Sequence, residues 1–474
     1  MKAMLRLTVV IALIMLLVGS VAAEKARKLP AKAYIQSAKI EILGYGESKE
    51  EARIQLAQAM LDSLFMYWGP HSEGYYWYSQ IKWDLAGEKA NLKERLPLVA
   101  QAIAFADSLA WTCTNAEIKK DYRKDCEKLD EQMDSIRVAQ WRDYYNDGVA
   151  QITEVEQQME AVKVETDSAA LAYYQTRLDA ITDSCQDNMA IAIVINSADV
   201  KPYIGLATIN ERTGKFDRAI EYLKRALPLA ADRNQILTSI AYDYIQMNDY
   251  CASIPWFREY IDSMTGMAEV IQDPTNREAV ISTMQNLAIC YNNCKEYDSA
   301  YAMFGRILEF KPDDVAALVG AARYQQHRGR QAGDSSRVSR EGGNDAASKN
   351  WQDIRDKRFD TARVYLKQAF ELSADDAAVA SEYGLMAAIL QKYEEAKIAF
   401  TRATQLAPQE VDYWVSLGDC NLTLRDWPGA AEAYEKVVEF RPDDKAVWER
   451  LADLYEASGN RTRRAEVLEK LKTM

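Results

Sequence analysis

From residue 200 to the C-terminus, apolar and polar positions fall into blocks that recur at a fixed spacing. VDYWVSLGDCNLTLRDWPGAAEAYEKVVEFRPDD at 411–444 aligns without a gap on ISTMQNLAICYNNCKEYDSAYAMFGRILEFKPDD at 281–314. Both carry a large residue fourth (Trp414, Met284), Leu then a small residue seventh and eighth (Leu417-Gly418, Leu287-Ala288), and Ala twentieth (Ala430, Ala300). An aromatic follows twenty-fourth (Tyr434, Phe304), an aliphatic twenty-seventh (Val437, Ile307), and proline near the end (Pro442, Pro312). Each half has the 3.6-residue rhythm of an amphipathic helix, with its small residues where two helices approach closely. The proline ends the second helix. Starts at 377, 411 and 445 are 34 residues apart, as are 200 and 234, and 281 and 315, so seven units fill 200–474.

This period and pattern resemble the tetratricopeptide repeat. The resemblance implies an all-α fold, a right-handed α-solenoid of stacked helix pairs. It also implies that the first helices of successive units line a concave groove that holds a protein or peptide partner. One subgroup of the family clamps a terminal carboxylate with Lys at the fifth and Asn at the ninth position of a first helix. Here those positions are Ile204 and Thr208, Thr238 and Tyr242, Gln285 and Ile289, so recognition of chaperone tails is not implied. The last unit ends in RRAEVLEKLKTM, a charged helix suited to capping an array.

Two units are too long. The second is followed by 13 extra residues, and the unit from 315 runs 62 residues to the next start, an excess of 28. Within it GRQAGDSSRVSREGGNDAASKNW (329–351) reads as a flexible polar loop between the two helices of one repeat, an insertion at about 330–356. Trp351 and Ile354 share a helical face, and Ser348 reads as the N-cap of a second helix that begins early. Arg323, Arg328, Arg330, Arg337 and Arg340 gather at the insertion's start with Asp334 as the only acid between 323 and 340, a local excess of +4. Arg323, His327, Arg330 and Trp351 are therefore candidate contacts for an acidic partner or anionic glycan; the alternative is a solvated surface.

Upstream of 200 the pattern weakens but stays helical. An aromatic-rich helical region at 24–110 precedes long helices at 111–199, where no proline falls between Pro97 and Pro202 and Ile118, Tyr122, Leu129, Met133 and Ile136 keep three-four spacing. Residues 144–152 and 171–182 read as a degenerate repeat with an insertion. In FMYWGPHSEGYYWYSQIKW (65–83), consecutive aromatics at 75–78 surround a helix. Either both faces are covered inside the first repeats, or Trp77, Tyr78 or Trp83 is exposed for stacking on a glycan.

Composition narrows the function. Residues 1–23 read as a secretory leader: Lys2 and Arg6, the apolar LTVVIALIMLLV, and small Val21 and Ala23. That run is shorter than the roughly 20 residues that span a bilayer. With no comparable run after it, the mature chain from Glu24 is expected to be soluble, an uncleaved anchor being the alternative. Losing Lys2 and Arg6 takes the net charge from −13 to −15, which disfavours nucleic acid. The seven cysteines form no pair of CxxC motifs and the two histidines are far apart, so no metal or cofactor is expected. Cys290 and Cys294, one turn apart, read as buried thiols. HExxH, GxSxG, GxxxxGK[ST] and GxGxxG are all missing, so no enzyme is expected. The resulting expectation is an exported scaffold in the periplasm of a Gram-negative bacterium, touching membranes only through a partner. A glycan-binding protein is the alternative.

Overall fold

The computed structural model describes residues 29–474 apart from 116, 119, 121–124 and 267–271. The leader and Tyr122 lie outside the described residues. Among those described, the chain forms twenty helices and no strand, and each helix packs chiefly on its neighbours in sequence. Contacts divide it into two units, up to Ile236 and from Leu237.

The first unit is built of helix pairs: α1 (Ala31–Ser48) with α2 (Glu51–Trp68), α3 (Ser72–Gly87) with α4 (Leu92–Thr114), α5 (Cys126–Val164) with α6 (Ser168–Ile195), and α7 (Lys201–Arg212) with α8 (Phe216–Ala226). Small side chains set the close approaches. A Cβ on Gly148 or on Gly205 would lie 2.7 Å from the Met189 methyl, so one methionine fills the space left by two glycines. One described helix, α4, is long and apolar enough to cross a membrane by length and composition, a run the sequence reading passed over. Its Val99, Ala102, Ala106 and Leu109 are buried within the unit.

The second unit continues the alternation through α9 (Asn234–Gln246), α10 (Tyr250–Thr265), α11 (Pro274–Asn293), α12 (Tyr297–Phe310), α13 (Val315–Glu341), α14 (Asp345–Leu372), α15 (Ala377–Ile389), α16 (Tyr393–Leu406), α17 (Val411–Thr423), α18 (Trp427–Phe440), α19 (Lys445–Ala457) and α20 (Arg461–Lys472). Asp314, Asp376 and Asp444, each the last residue of the preceding repeat, accept from backbone N–H groups to cap α13, α15 and α19. The fourth-position tryptophans also serve the turns: Trp414 donates to the Pro408 carbonyl and Trp448 to the Pro442 carbonyl, both at 2.9 Å.

The turn inside a repeat is uniform. Its fifteenth residue takes a left-handed φ in Gly214, Asn248, Lys295, Gln391, Arg425 and Gly459. The next N–H then bonds back to the carbonyl five residues earlier, as from Lys392 to Ala387 and from Asp426 to Asn421, both at 2.8 Å, which closes a Schellman motif.

The unit from 315 corrects the sequence reading. Its fifteenth residue is Gly329, yet the chain does not turn there: α13 runs straight through, and the left-handed residue is Gly343, fourteen positions later. The Asn344 N–H donates to the Ser339 carbonyl at 2.8 Å, the same closure moved outward. The 28 excess residues are therefore not a flexible loop. Fourteen lengthen each helix by about 21 Å at 1.5 Å per residue. Ser348 is not the N-cap either. Asn344 caps α14 by accepting from Ala347, while Ser348 is buried between the helices, its carbonyl accepting from the Ser336 hydroxyl at 2.9 Å.

Two disulfides, Cys113–Cys126 and Cys251–Cys294, tie neighbouring helices in the first and second unit respectively. Cys294 is thus not the buried thiol expected of it. Cys290 is, with Cys185 and Cys420. Burial pushes the Cys185 thiol up to about 12 and that of Cys420 to about 11, so both stay protonated and unreactive at neutral pH.

Candidate interaction surface

The first helices of the second unit are linked by a ladder whose register follows the repeat. The ninth residue of one first helix meets the sixth of the next. Asn286 Nδ2 donates to Tyr242 Oη at 2.9 Å, Arg323 Nε donates to Glu382 Oε1 at 3.1 Å, and Arg450 Nη1 donates to Asp419 Oδ1 at 2.9 Å. Between these polar rungs the ninth residues are Ile289 and Leu385, opposite sixth residues Gly320 and Ser416. Neither small residue covers them. Ile289 is 50% exposed and Leu385 51%, with Ile389 one turn on at 47% and Tyr242 at 42%. Four large apolar groups thus stand on the face that the first helices turn to solvent.

Arg323 does not serve as a free cation. Glu382 grips it in a fork of hydrogen bonds, and this bonding raises the guanidinium's pKa further. His327 rests on the Tyr297 ring with centroids 4.5 Å apart, and its Nε2 lies 3.0 Å from Gln331 Nε2. Arg330 is exposed and makes no ion pair among the described residues. Trp351, 38% exposed, stands on α14 well beyond the base of the repeat. Arg323, His327 and Arg330 are brought together on α13. Trp77 and Tyr78 lie in the first unit.

The aromatic cluster at 65–83 is mostly interior. Tyr78 is buried, its hydroxyl bonded to Asp62 and its ring stacked on Phe105 at 4.6 Å, so it offers no face to a ligand. Its phenol pKa is pushed up by burial and by that carboxylate. Trp83 is buried too. Trp77 is half-buried beneath Lys39, whose Nζ lies 5.4 Å from the ring centroid. Of Trp77, Tyr78 and Trp83, only Trp77 has part of the exposure that a glycan platform needs; elsewhere in the cluster Tyr67 is 42% exposed.

The tetratricopeptide repeat family matches residues 200–233, 390–445 and 417–472, in the register read from the sequence at residue 200. The chain carries tetratricopeptide repeats. The matched repeats cover only part of it. A tetratricopeptide repeat-containing protein, trd-1 of Caenorhabditis elegans, is 23% identical over 38% of this chain, and the match spans about a fifth of that relative's length. Among solved structures, MamA from Desulfovibrio magneticus RS-1 is 17% identical with a TM-score of 0.32, over 45% of this chain and 98% of its own. The C-terminal part of a repeat protein from Cytophaga hutchinsonii is 13% identical with a TM-score of 0.37, over 56% and 92%. YrrB, described as a repeat protein with an unusual peptide-binding site, is 15% identical with a TM-score of 0.25, over 55% and 96%. Similarities this low leave function to the residues of this chain.

The apolar face was missed because the sequence reading examined the fifth and ninth positions only for a carboxylate clamp. The same ninth-position register, read for exposed apolar groups, picks out Tyr242, Ile289 and Leu385.

Proposed function

We propose that this tetratricopeptide repeat protein is an exported, non-catalytic scaffold that holds a polypeptide partner on the first-helix face of its second unit. The observation that carries this reading is the set of exposed large side chains, Tyr242, Ile289 and Leu385 at the ninth position of their repeats and Ile389 one turn beyond Leu385, beside satisfied polar rungs. Soluble chains rarely keep such groups aligned unless something covers them. Export to the bacterial periplasm is supported by the leader-like N-terminus and by two disulfides, which persist in oxidising compartments. Asn421 in NLT is buried, where an attached glycan does not fit, in keeping with a cell that does not glycosylate it.

The test is capture from native envelope extract, wild type beside Ile289→Asp/Leu385→Asp. Wild type is expected to recover one protein in stoichiometric amount and the variant to lose it. Recovery of nothing, or equal recovery by the folded variant, refutes the reading.

A further inference from the structure

The arm formed by the outer halves of α13 and α14 adds almost nothing to the core. Beyond Gly329 and Phe359 its buried side chains are Ala332, Ser336 and Ser348 alone. Its surface is distinctive in charge. Among the described residues Arg328, Arg330, Arg340, Lys349 and Lys357 make no ion pair, whereas Arg337 is held by Asp334 and Glu341, and Arg355 by Asp356. The unpaired acids on the arm are Asp345 and Asp353, and Asp345 sits in the first turn of α14, where the helix N-terminus draws on its charge. Five cations without an ion pair thus stand against two such acids, on a chain of net charge −13.

At the root of the arm is a notch of about 390 Å³ lined by Lys295, Tyr297, His327, Arg328 and Gln331, with Glu296 and Asp298. Both acids keep their charge, since each accepts only from a neutral hydroxyl. Glu296 accepts from the Ser299 hydroxyl and Asp298 from Tyr324. The notch is therefore balanced, two cations against two carboxylates, and the positive excess lies on the arm beyond it.

We propose that the arm is a second docking surface, for a short acidic segment of another polypeptide that lies along the unpaired cations of α13 and α14. Charge complementarity selects the partner. A long polyanion such as nucleic acid, or an extended anionic membrane, would meet the acidic remainder of the chain, whereas a short acidic segment meets only the arm. A carboxylate takes the bidentate geometry that an arginine fork offers. This surface is independent of the first-helix face, and either can fail without the other.

The test uses the full chain at low salt and fluorescence anisotropy of a fluorescein-labelled ten-residue polyglutamate peptide. Wild type is expected to bind saturably and to weaken as salt rises. Arg328→Glu/Arg330→Glu/Arg340→Glu/Lys349→Glu is expected to weaken binding by at least about tenfold, since four exposed pairs at about 1.8-fold each multiply to that figure. The milder Arg330→Gln/Arg340→Gln, which introduces no new charge, is expected to weaken it by about threefold on the same reckoning. Leu385→Asp/Ile389→Asp should bind the peptide as wild type does. The proposal is overturned if wild type does not bind, or if both arm variants bind unchanged. It is also overturned if a single-stranded oligonucleotide or phosphatidylglycerol vesicles bind the arm more tightly than the peptide.

Discussion

Deleting residues 330–357 should leave a folded protein. The cut joins Gly329 to Arg358-Phe359 and restores a unit of 34 residues from 315 to 376. Gly329 then occupies the fifteenth position, where Gly214 and Gly459 already adopt left-handed φ values of 71° and 73°. Phe359 falls seventeenth, the position of the large first residues of α8, α10, α12, α16 and α18 (Phe216, Tyr250, Tyr297, Tyr393 and Trp427). What is lost is small. Burial of the Ala332 methyl contributes about 0.8 kcal/mol. The Ser336 hydroxyl bridging to Ser348 contributes about 1 kcal/mol. Against this, 28 residues no longer have to be ordered. The net change should stay within about 2 kcal/mol, compared with about 2–5 kcal/mol for Leu366→Ala in the same repeat. Urea denaturation followed by ellipticity at 222 nm measures both. A loss beyond about 4 kcal/mol on deletion, or a drop in helical signal exceeding the deleted residues, would refute the reading that the arm is a displaced turn.

Three further outcomes follow from single sites. Arg425→Gly should stabilise by roughly 0.5–1 kcal/mol, because Arg425 holds a φ of 61° that costs a side-chain-bearing residue, while Gly459→Ala should destabilise by about 1 kcal/mol; thermal melts read both. Burial lowers the His71 pKa from 6.5 to about 4, so the folded state favours the neutral ring. The unfolded state then takes up a proton first as pH falls, and the His71 contribution to stability is complete above about 6.5 and declines towards pH 4 by roughly 2–3 kcal/mol, a share of the slope that His71→Gln should remove from denaturation midpoints taken across that range. Alkylation in denaturant should label three cysteines before reduction and seven after, and Cys251→Ser/Cys294→Ser should cost about 2–4 kcal/mol in urea titrations.

Register was the most legible property of the sequence. The 34-residue starts located the two helices of each unit, the small eighth residues marked true close approaches, and Gly418 meets Tyr434 where a Cβ would lie 2.9 Å away. The arm was misread because glycine and serine were taken for loop composition. They pack it instead. Ala322, Gly329 and Ser336 recur every seven residues on α13, and Ser348, Arg355 and Ala362 do so on α14. A Cβ on Gly329 would come within 2.5 Å of the Phe359 ring, so the glycine is there for contact between helices rather than for flexibility. No proline falls between Pro312 and Pro408, the signal that could have kept the segment helical. Disulfide pairing was illegible for a different reason: it depends on which helices become neighbours, and spacing carries no information about that. The site residues divide along the same line. Arg323 looked free because Glu382, its partner, lies 59 residues away.

The length of the arm bears on why it is rigid. Fourteen residues at 100° each bring a helix to within about 40° of its starting direction, so both helices leave the repeat and continue on nearly the face that packed them inside it. A loop of the same length would have cost little in closure entropy, about 0.6 kcal/mol per doubling. Ordering it as helix instead spends roughly 1–2 kcal/mol of backbone entropy per residue, recovered through hydrogen bonds and close packing with almost no apolar burial. A merely tolerated insertion has no need of that balance. Displacing the turn about 21 Å outward, with its closure intact and five cations without an ion pair, holds charge at a fixed distance from an acidic body, which is what the docking surface proposed for the arm requires.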